Sequence, residues 1–202
     1  FILEGSDIGT GHHTAALRKT GNGPIYFNAY LDYFTLEDFI PAEGLEIKVQ
    51  RNVYRLKEVK KKIRDAGSHG QGVERRVEKH ERELLQNLSA VKSGELVEVE
   101  LEIESKNDYE YLVFEDLKAA GFEPLEVRSG YNGNEMGAYV EYRDRKVCFF
   151  IQRLARGRNS ISYRMRAETP GKFSALPTRV YAMYAPELKA NSDEIKLVVE
   201  DN

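Results

Sequence analysis

The stretch Glu95-Leu96-Val97-Glu98-Val99-Glu100-Leu101-Glu102-Ile103-Glu104 decides the fold of this chain, because apolar and acidic residues alternate along it. A period of two is that of a β-strand that buries one face and exposes the other. The residues predicted to face a core are Val97, Val99, Leu101 and Ile103. The glutamates between them are interpreted as the solvent-facing side of a strand and not as a pair of catalytic carboxylates.

Short segments with strand character recur on both sides of this stretch, separated by turns roughly every 8–12 residues. The predicted strands cover residues 45–54, 109–116, 138–142, 146–153, 160–167, 177–184 and 195–199. Near the amino terminus, Ile25–Tyr33 follows the turn at Gly21–Pro24 and is predicted to pair with His13–Lys19. The pattern predicts an all-β fold, an antiparallel Ig-like β-sandwich.

The segment 55–92 departs from this pattern. Lys, Arg and Glu dominate it up to Glu83, and a glycine-rich break lies at 67–72. Val73–Leu88 is predicted to be helical, with an incomplete apolar stripe. We therefore expect a charged, partly helical insertion at 55–92, which is either a solvated surface or an arm that docks on another protein or domain.

Composition excludes several classes of function. The chain has 202 residues, 41% of them hydrophobic and 31% charged, with a net charge of −3, so nothing favours nucleic acid or an anionic membrane as a partner. No apolar run approaches the ~20 residues of a membrane-spanning helix, so we expect no membrane insertion. The chain begins at Phe1 without a signal-peptide pattern. We expect it to be a piece of a larger protein.

Reactive groups are few. The single cysteine, Cys148, excludes an internal disulfide and is predicted to be a small buried hydrophobe, the alternative being a reactive thiol. His12 and His13 are adjacent, and on a strand they would face opposite sides, which does not suit a shared metal ion. No hydrolase nucleophile motif or zinc-protease helix is present. We expect no cofactor, no metal ion and no catalytic residue, hence no enzymatic activity.

Five blocks in the second half occur in a specific order. They are Tyr109–Asp116, Ala120–Glu123, Tyr142–Val147, Ser162–Phe173 and Leu176–Glu187. Together they resemble the carboxy-terminal macroglobulin-like domain of bacterial alpha-2-macroglobulins, over about Gly94–Glu200. Pro24–Tyr54 resembles, more weakly, the end of the CUB-type domain and the linker strand that precede it. The resemblance implies a partial CUB-type domain at 1–38 and a macroglobulin-like β-sandwich at 39–202, with the insertion at 55–92.

The resemblance also implies a function. Alpha-2-macroglobulins are large extracytoplasmic protease traps, and in many of them a thioester on a helical domain captures the protease. The thioester motif Cys-x-Glu-Gln is absent from this sequence. In family members that carry it, a Met-Tyr pair of the terminal domain shields the thioester from water, and by motif position that pair is Met183 and Tyr184. The implied partners are other domains of the parent chain, the thioester domain among them, and proteases trapped by the parent.

Geometry sets a condition on this role. Adjacent residues of a strand point to opposite faces, so Met183 and Tyr184 can serve one surface only at a bulge or strand end, and Pro186 favours a strand end. The segment Pro124–Gly137 lacks the lysine pair that animal receptor-binding domains present, so receptor binding is not expected. Two alternatives stay open: an Ig-like structural or adhesion module of a cell-surface protein, and an accessory sandwich within a large enzyme.

Overall fold

The computed structural model describes residues 2, 5, 9, 11–27, 39–66 and 72–201, with side chains at 60–66 and 72–79 left aside. The chain divides into two compact units, Phe1–Phe34 and Thr35–Asn202. In the first unit, residues 12–20 have no regular secondary structure, so the predicted strand at His13–Lys19 is wrong. Of the predicted strand Ile25–Tyr33, residues 25–27 are not in a strand, and 28–33 lie outside the described residues.

The second unit is built from strands. In chain order they are β1 (Glu43–Gly44), β2 (Ile47–Ala66), β3 (Gly72–Leu84), β4 (Ala90–Lys92), β5 (Leu96–Ser105), β6 (Tyr109–Leu117), β7 (Phe122–Pro124), β8 (Gly130–Tyr131), β9 (Tyr139–Tyr142), β10 (Lys146–Leu154), β11 (Gly157–Ala167), β12 (Gly171–Ala175), β13 (Arg179–Ala182), β14 (Lys189–Asn191) and β15 (Ile195–Glu200). No α-helix occurs between residues 39 and 201 where the structure describes them.

These strands form three sheets. A seven-stranded sheet has the order β1-β14-β13-β6-β10-β9-β8, and a five-stranded sheet has the order β3-β2-β5-β11-β7. A three-stranded sheet, β12-β15-β4, contains the parallel pair β15–β4, whereas the pairs within the two larger sheets are antiparallel. The predicted all-β antiparallel sandwich is therefore confirmed.

The core lies between the inner faces of the two larger sheets. The apolar residues of β5 behave as their alternation predicts, since Val97, Leu101 and Ile103 are at most 1% exposed. Opposite them, Leu112 and Phe114 of β6 are fully buried in the same cluster. The rings of Phe149 in β10 and Tyr163 in β11 lie 6.0 Å apart and join the two sheets directly. One contiguous core therefore holds the sandwich together.

The predicted helical insertion at 55–92 is wrong, because its two arms are strands. β2 continues from the core sheet to Ala66, and β3 returns alongside it as the second strand of a long hairpin. Among the described side chains, the register places Arg55 opposite Glu83 and Lys57 opposite Glu81, and Lys57 Nζ lies 3.0 Å from a carboxylate oxygen of Glu83. Such cross-strand pairs stabilise a hairpin, whereas either arm alone lacks the complete apolar stripe that a helix needs for packing.

A buried ion pair crosses the core between the two larger sheets. The Arg51 guanidinium, on β2, donates to Asp116 Oδ1 of β6 at 2.9 Å, and the two side chains are 2% and 1% exposed. Tyr163 donates its hydroxyl to Asp116 Oδ2 at 2.6 Å, and Thr178 donates to Oδ1 at 2.7 Å. The carboxylate is thus bonded from three separate parts of the chain.

The guanidinium reaches further. It also donates to the backbone carbonyl oxygens of Ala175 at 2.6 Å, Leu176 at 2.7 Å and Asp193 at 3.2 Å. These carbonyls belong to the last residue of β12, to the connection before β13 and to the connection after β14, so Arg51 ties the chain segments that flank β13 and β14 to the centre of the sandwich. A buried charge pair of this kind is stable only with such additional hydrogen bonds.

Replacing Arg51 by methionine should destabilise the chain by about 3–5 kcal/mol, because it leaves the Asp116 carboxylate, which is 1% exposed, buried without its cation. Urea unfolding followed by circular dichroism measures the change, and complete loss of a cooperative transition counts as the same result. The matched control is Arg179→Met, at an exposed strand position, where we expect a change within about 0.5 kcal/mol. Equal effects at the two sites would contradict the role of the buried pair.

Alkaline pH should reveal the burial of Tyr163. Burial first, and then the neighbouring Asp116 carboxylate, raise the pKa of Tyr163 well above its ordinary value of 10.0. Above pH 10 the unfolded tyrosine loses its proton while the folded one keeps it, so stability is full below pH 10 and declines as the pH rises further. Tyr163→Phe removes this contribution, so above pH 10 the free energy of unfolding should fall less steeply, by up to about 1.4 kcal/mol per pH unit.

The measurement is urea unfolding of both proteins between pH 8 and pH 11. Near pH 8, Tyr163→Phe should be less stable by about 1–3 kcal/mol, because Asp116 Oδ2 loses its donor. The difference should then shrink above pH 10. A difference that stays constant over the whole range would refute the proton linkage.

Candidate functional site

The Met183–Tyr184 step lies directly after a strand and not within it. β13 ends at Ala182, so these two residues open the connection to β14, and the predicted strand at 177–184 stops two residues early. Both side chains are exposed, Met183 to 41% and Tyr184 to 80%. Because the strand has ended, alternation no longer sends the two side chains to opposite faces.

Backbone hydrogen bonds hold this connection in place. Met183 N–H donates to the carbonyl oxygen of Tyr111 at 2.9 Å, and Ala182 N–H donates to that of Leu188 at 3.0 Å. Leu188 N–H in turn donates to the carbonyl oxygen of Ala185 at 2.9 Å, which closes the turn. The step is therefore an exposed surface on a fixed backbone.

Tyr111 of β6 is a further member of the site that the sequence did not indicate. Its ring contacts that of Tyr184 edge to face, with centroids 5.4 Å apart and planes at 79°. The Tyr111 side chain is itself 41% exposed. Its backbone has φ +56°, a left-handed conformation that is rare for a bulky residue. No sequence signal announces this, since Gly, Asn and Asp are the usual residues there.

A row of aromatic residues crosses the outer face of the seven-stranded sheet. The register places Tyr181 beside Val113, Val113 beside Phe150, Phe150 beside Tyr139, and Tyr139 beside Tyr131. The Tyr131 and Tyr139 rings meet edge to face at 5.2 Å. The ends of the row are the most accessible, with Tyr131 exposed to 78% and Tyr181 to 37%. Along this row the outer face is apolar where a solvated sheet would be polar.

Cys148 does not provide a nucleophile. It is fully buried, and burial raises the pKa of its thiol, with the cations of Arg143 and Lys146 opposing that shift. Its register neighbours are Glu115 and Glu141, which form ion pairs with Lys146 and Arg143. A thiol with a raised pKa stays protonated at neutral pH and is unreactive.

Glu98 and Glu104, near the two ends of β5, lie beside basic residues. Glu98 is 3% exposed, against the expectation that it faces water, and it pairs with Arg82 and with Arg164, whose Nε lies 2.9 Å from Oε2. At the other end of the strand, the register places Glu104 between Lys48 and Arg158. Charge compensation of this kind is that of a structural sheet face rather than of an acid–base pair.

Two further features concern metals and membranes. In the described part of the chain, no group of three or more His, Cys, Asp or Glu side chains is arranged to hold a metal ion. Nor does any helix among the described residues have the length and apolar character to cross a membrane. The Met183–Tyr184 step with Tyr111 therefore offers an exposed thioether and two phenol rings, a surface suited to apolar contact rather than to acid–base or metal chemistry.

Comparison with known proteins identifies relatives among alpha-2-macroglobulins. The curated alpha-2-macroglobulin homolog of Nostoc sp. is 25% identical over 200 residues, which is 95% of this chain and 10% of that protein. Among solved structures, a tyrosine-to-glycine mutant of Salmonella alpha-2-macroglobulin matches 79% of this chain with a TM-score of 0.55 and 24% identity. The native Escherichia coli alpha-2-macroglobulin matches 79% with a TM-score of 0.56 and 20% identity.

The chain spans about a tenth of the length of these relatives, 10% in all three cases. The structural matches, all below 25% identity, establish the fold. The family profile of the bacterial alpha-2-macroglobulin MG10 domain matches residues 47–187, which includes both strands of the charged hairpin, the ion-paired core and the Met183–Tyr184 step. This chain therefore belongs to the bacterial alpha-2-macroglobulin MG10 domain family.

Proposed function

We propose that this chain is the carboxy-terminal, non-catalytic module of a broad-spectrum protease-trapping inhibitor, and that Met183 and Tyr184 dock on a thioester domain of the same parent protein. The observation that carries the proposal is the exposure of both side chains on a fixed backbone at the end of β13. A tyrosine exposed to 80% contributes little to the fold of its own domain.

The chemistry of a thioester explains why such a surface is useful. A thioester persists only where water and amines are excluded. Met183 supplies a flexible, polarisable side chain that adapts to an irregular surface, and Tyr184 supplies a broad ring.

The relatives support this proposal. The Salmonella structures that resemble this chain include a form reacted with methylamine. The Escherichia coli relatives include forms activated by elastase and by trypsin. We infer that the parent of this chain likewise meets proteases, and that it does so outside the cytoplasm.

The aromatic row on the seven-stranded sheet supports a second contact with the parent protein. Exposed apolar patches of this kind mark interaction surfaces. Val113 is 3% exposed although it lies on the outer face, while Tyr131 and Tyr181 at the ends of the row remain accessible. We expect the partner to be another domain of the parent chain, because the linking polypeptide keeps such a domain close to this module. Proteases would reach the module only through the assembled trap.

Tyr184→Gly should make the thioester of the intact parent react faster with methylamine, by at least about 10-fold, because losing a tyrosine contact in a dry interface costs at least ~1.4 kcal/mol. Tyr184→Phe keeps the ring and should stay within about twofold of the wild type. The rate of thiol release measures the reaction. An unchanged rate for Tyr184→Gly would remove the shielding role.

A matched control separates shielding from folding. Val127→Gly removes another exposed apolar side chain, one that is 73% exposed, and should leave the methylamine rate unchanged. Tyr184→Gly should alter the free energy of unfolding of the 202-residue chain by no more than about 1.5 kcal/mol, the contribution of one aromatic pair. A larger loss would show that Tyr184 serves its own domain.

The chain on its own should not slow any protease, even in molar excess. It carries neither a thioester motif nor the enclosing body of a trap. Progress curves of trypsin and elastase on a large protein substrate measure this, with the intact parent as the positive control. Stoichiometric inhibition by the isolated chain would contradict the proposed role as a docking module.

A further inference from the structure

Tyr111 touches both residues of the proposed contact surface. From this we infer that Tyr111 is a positioning residue, whose left-handed backbone and ring together aim Tyr184 at the partner domain. The inference rests on the proposed function and adds a third residue to its surface. Four observations support it: an unusual backbone angle, a break in strand pairing, a backbone hydrogen bond and a ring contact.

The backbone distortion is confined to one residue. On the β10 side, Leu112 pairs with Ile151 and Glu110 pairs with Arg153, both in regular register. Tyr111 and Gln152, which lie between these pairs, form no bridge. A bulky residue at φ +56° is strained, and such strain persists only where the surroundings hold it in place. Here the regular pairs on both sides of Tyr111 do so.

The distortion lies where the ladder between β6 and β13 ends. Ala182 pairs with Leu112, so a continued ladder would place Met183 opposite Tyr111. One bond of that pairing is present, since the Tyr111 carbonyl oxygen accepts the Met183 N–H at 2.9 Å, and the Tyr111 and Tyr184 rings meet edge to face with centroids 5.4 Å apart. One residue thus fixes the backbone of Met183 and the ring of Tyr184.

A purely structural role fits Tyr111 less well. Gly or Asn occupies a left-handed position at lower cost, since neither strains the backbone as a large side chain does. The ring does not repay the strain by deep burial, because Tyr111 is 41% exposed. Its described ring contact is with Tyr184, which is itself exposed to 80%. The contact therefore orders a surface and not the core.

Two substitutions at this position separate the backbone from the ring. Tyr111→Gly removes both the ring and the strain, whereas Tyr111→Ala removes the ring and keeps the strained Cβ. At an ordinary strand position alanine is the more stabilising of the two, but here the glycine variant should melt about 2–4 °C higher than the alanine variant. Alanine melting at or above glycine would refute the strained backbone.

The ring contact is tested in the 202-residue chain by NMR of tyrosine-labelled protein. Tyr111→Gly and Tyr111→Ala should both shift the Tyr184 ring signals towards those of a free tyrosine, because the ring current of residue 111 is lost. Tyr111→Phe keeps the ring and should preserve the wild-type shifts. Tyr184 signals that are the same in all four proteins would overturn the inference.

The functional test uses methylamine reaction of the intact parent. Tyr111→Gly and Tyr111→Ala should both accelerate it by about 2- to 10-fold, the range of one aromatic pair, while Tyr111→Phe stays at the wild-type rate. Because Tyr111 acts through Tyr184, adding Tyr111→Gly to Tyr184→Gly should cause no further acceleration.

The outcomes distinguish the two proposals. An effect of Tyr184→Gly without an effect of Tyr111→Gly overturns the positioning role and leaves the proposed function intact. No effect of Tyr184→Gly overturns the proposed function, and with it the purpose assigned to Tyr111. An effect of Tyr111→Gly that adds fully to that of Tyr184→Gly would show that Tyr111 contacts the partner independently and does not act through Tyr184.

Discussion

The buried pair of Arg51 and Asp116 fixes the relative positions of the strands on which the surface depends. Asp116 lies on β6 and also accepts the hydroxyl of Thr178, the residue before β13. Thr178 N–H donates to Ser192 Oγ at 2.9 Å, so the start of β13 is held from both sides. β13 has only four residues, Arg179–Ala182, between this anchor and Met183. A short strand with a pinned start presents its end in one place.

The strands of the sandwich could be predicted because apolar and polar residues alternate along them with a period of two. β5 is the clearest case, because its alternate apolar residues Val97, Val99, Leu101 and Ile103 are buried as expected. The hairpin of β2 and β3 could not be predicted, because charges dominate both arms and the match between Arg55 and Glu83 appears only once the register is known. Glu98 was misjudged for the same reason, since its partner Arg82 comes from a strand that was expected to be a helix.

At the candidate site, too, features that depend on neighbouring residues could be predicted, whereas contacts between residues far apart in the sequence could not. The family resemblance predicts Met183 and Tyr184 as a contact surface, and Pro186 correctly indicates that a strand ends near them. The ion pair of Arg51 with Asp116 and the contact of Tyr111 with Tyr184 both join distant segments, so neither has a local signature. A left-handed tyrosine is set by its tertiary surroundings and runs against the preference of its own residue type.

The contrast between the core and the Met183–Tyr184 surface follows from what each must do. Arg51 makes its hydrogen bonds inside the domain, and these bonds hold the segments that they join in one arrangement. Tyr184 keeps most of its ring in water, so in the proposed docking the covering of that ring would contribute about 1.5–3 kcal/mol, the value for a large apolar side chain. A mobile side chain would lose part of this gain as ordering entropy on docking. Contact with Tyr111 before docking reduces that loss, which is why a strained residue beside an exposed ring is consistent with a surface built to be covered.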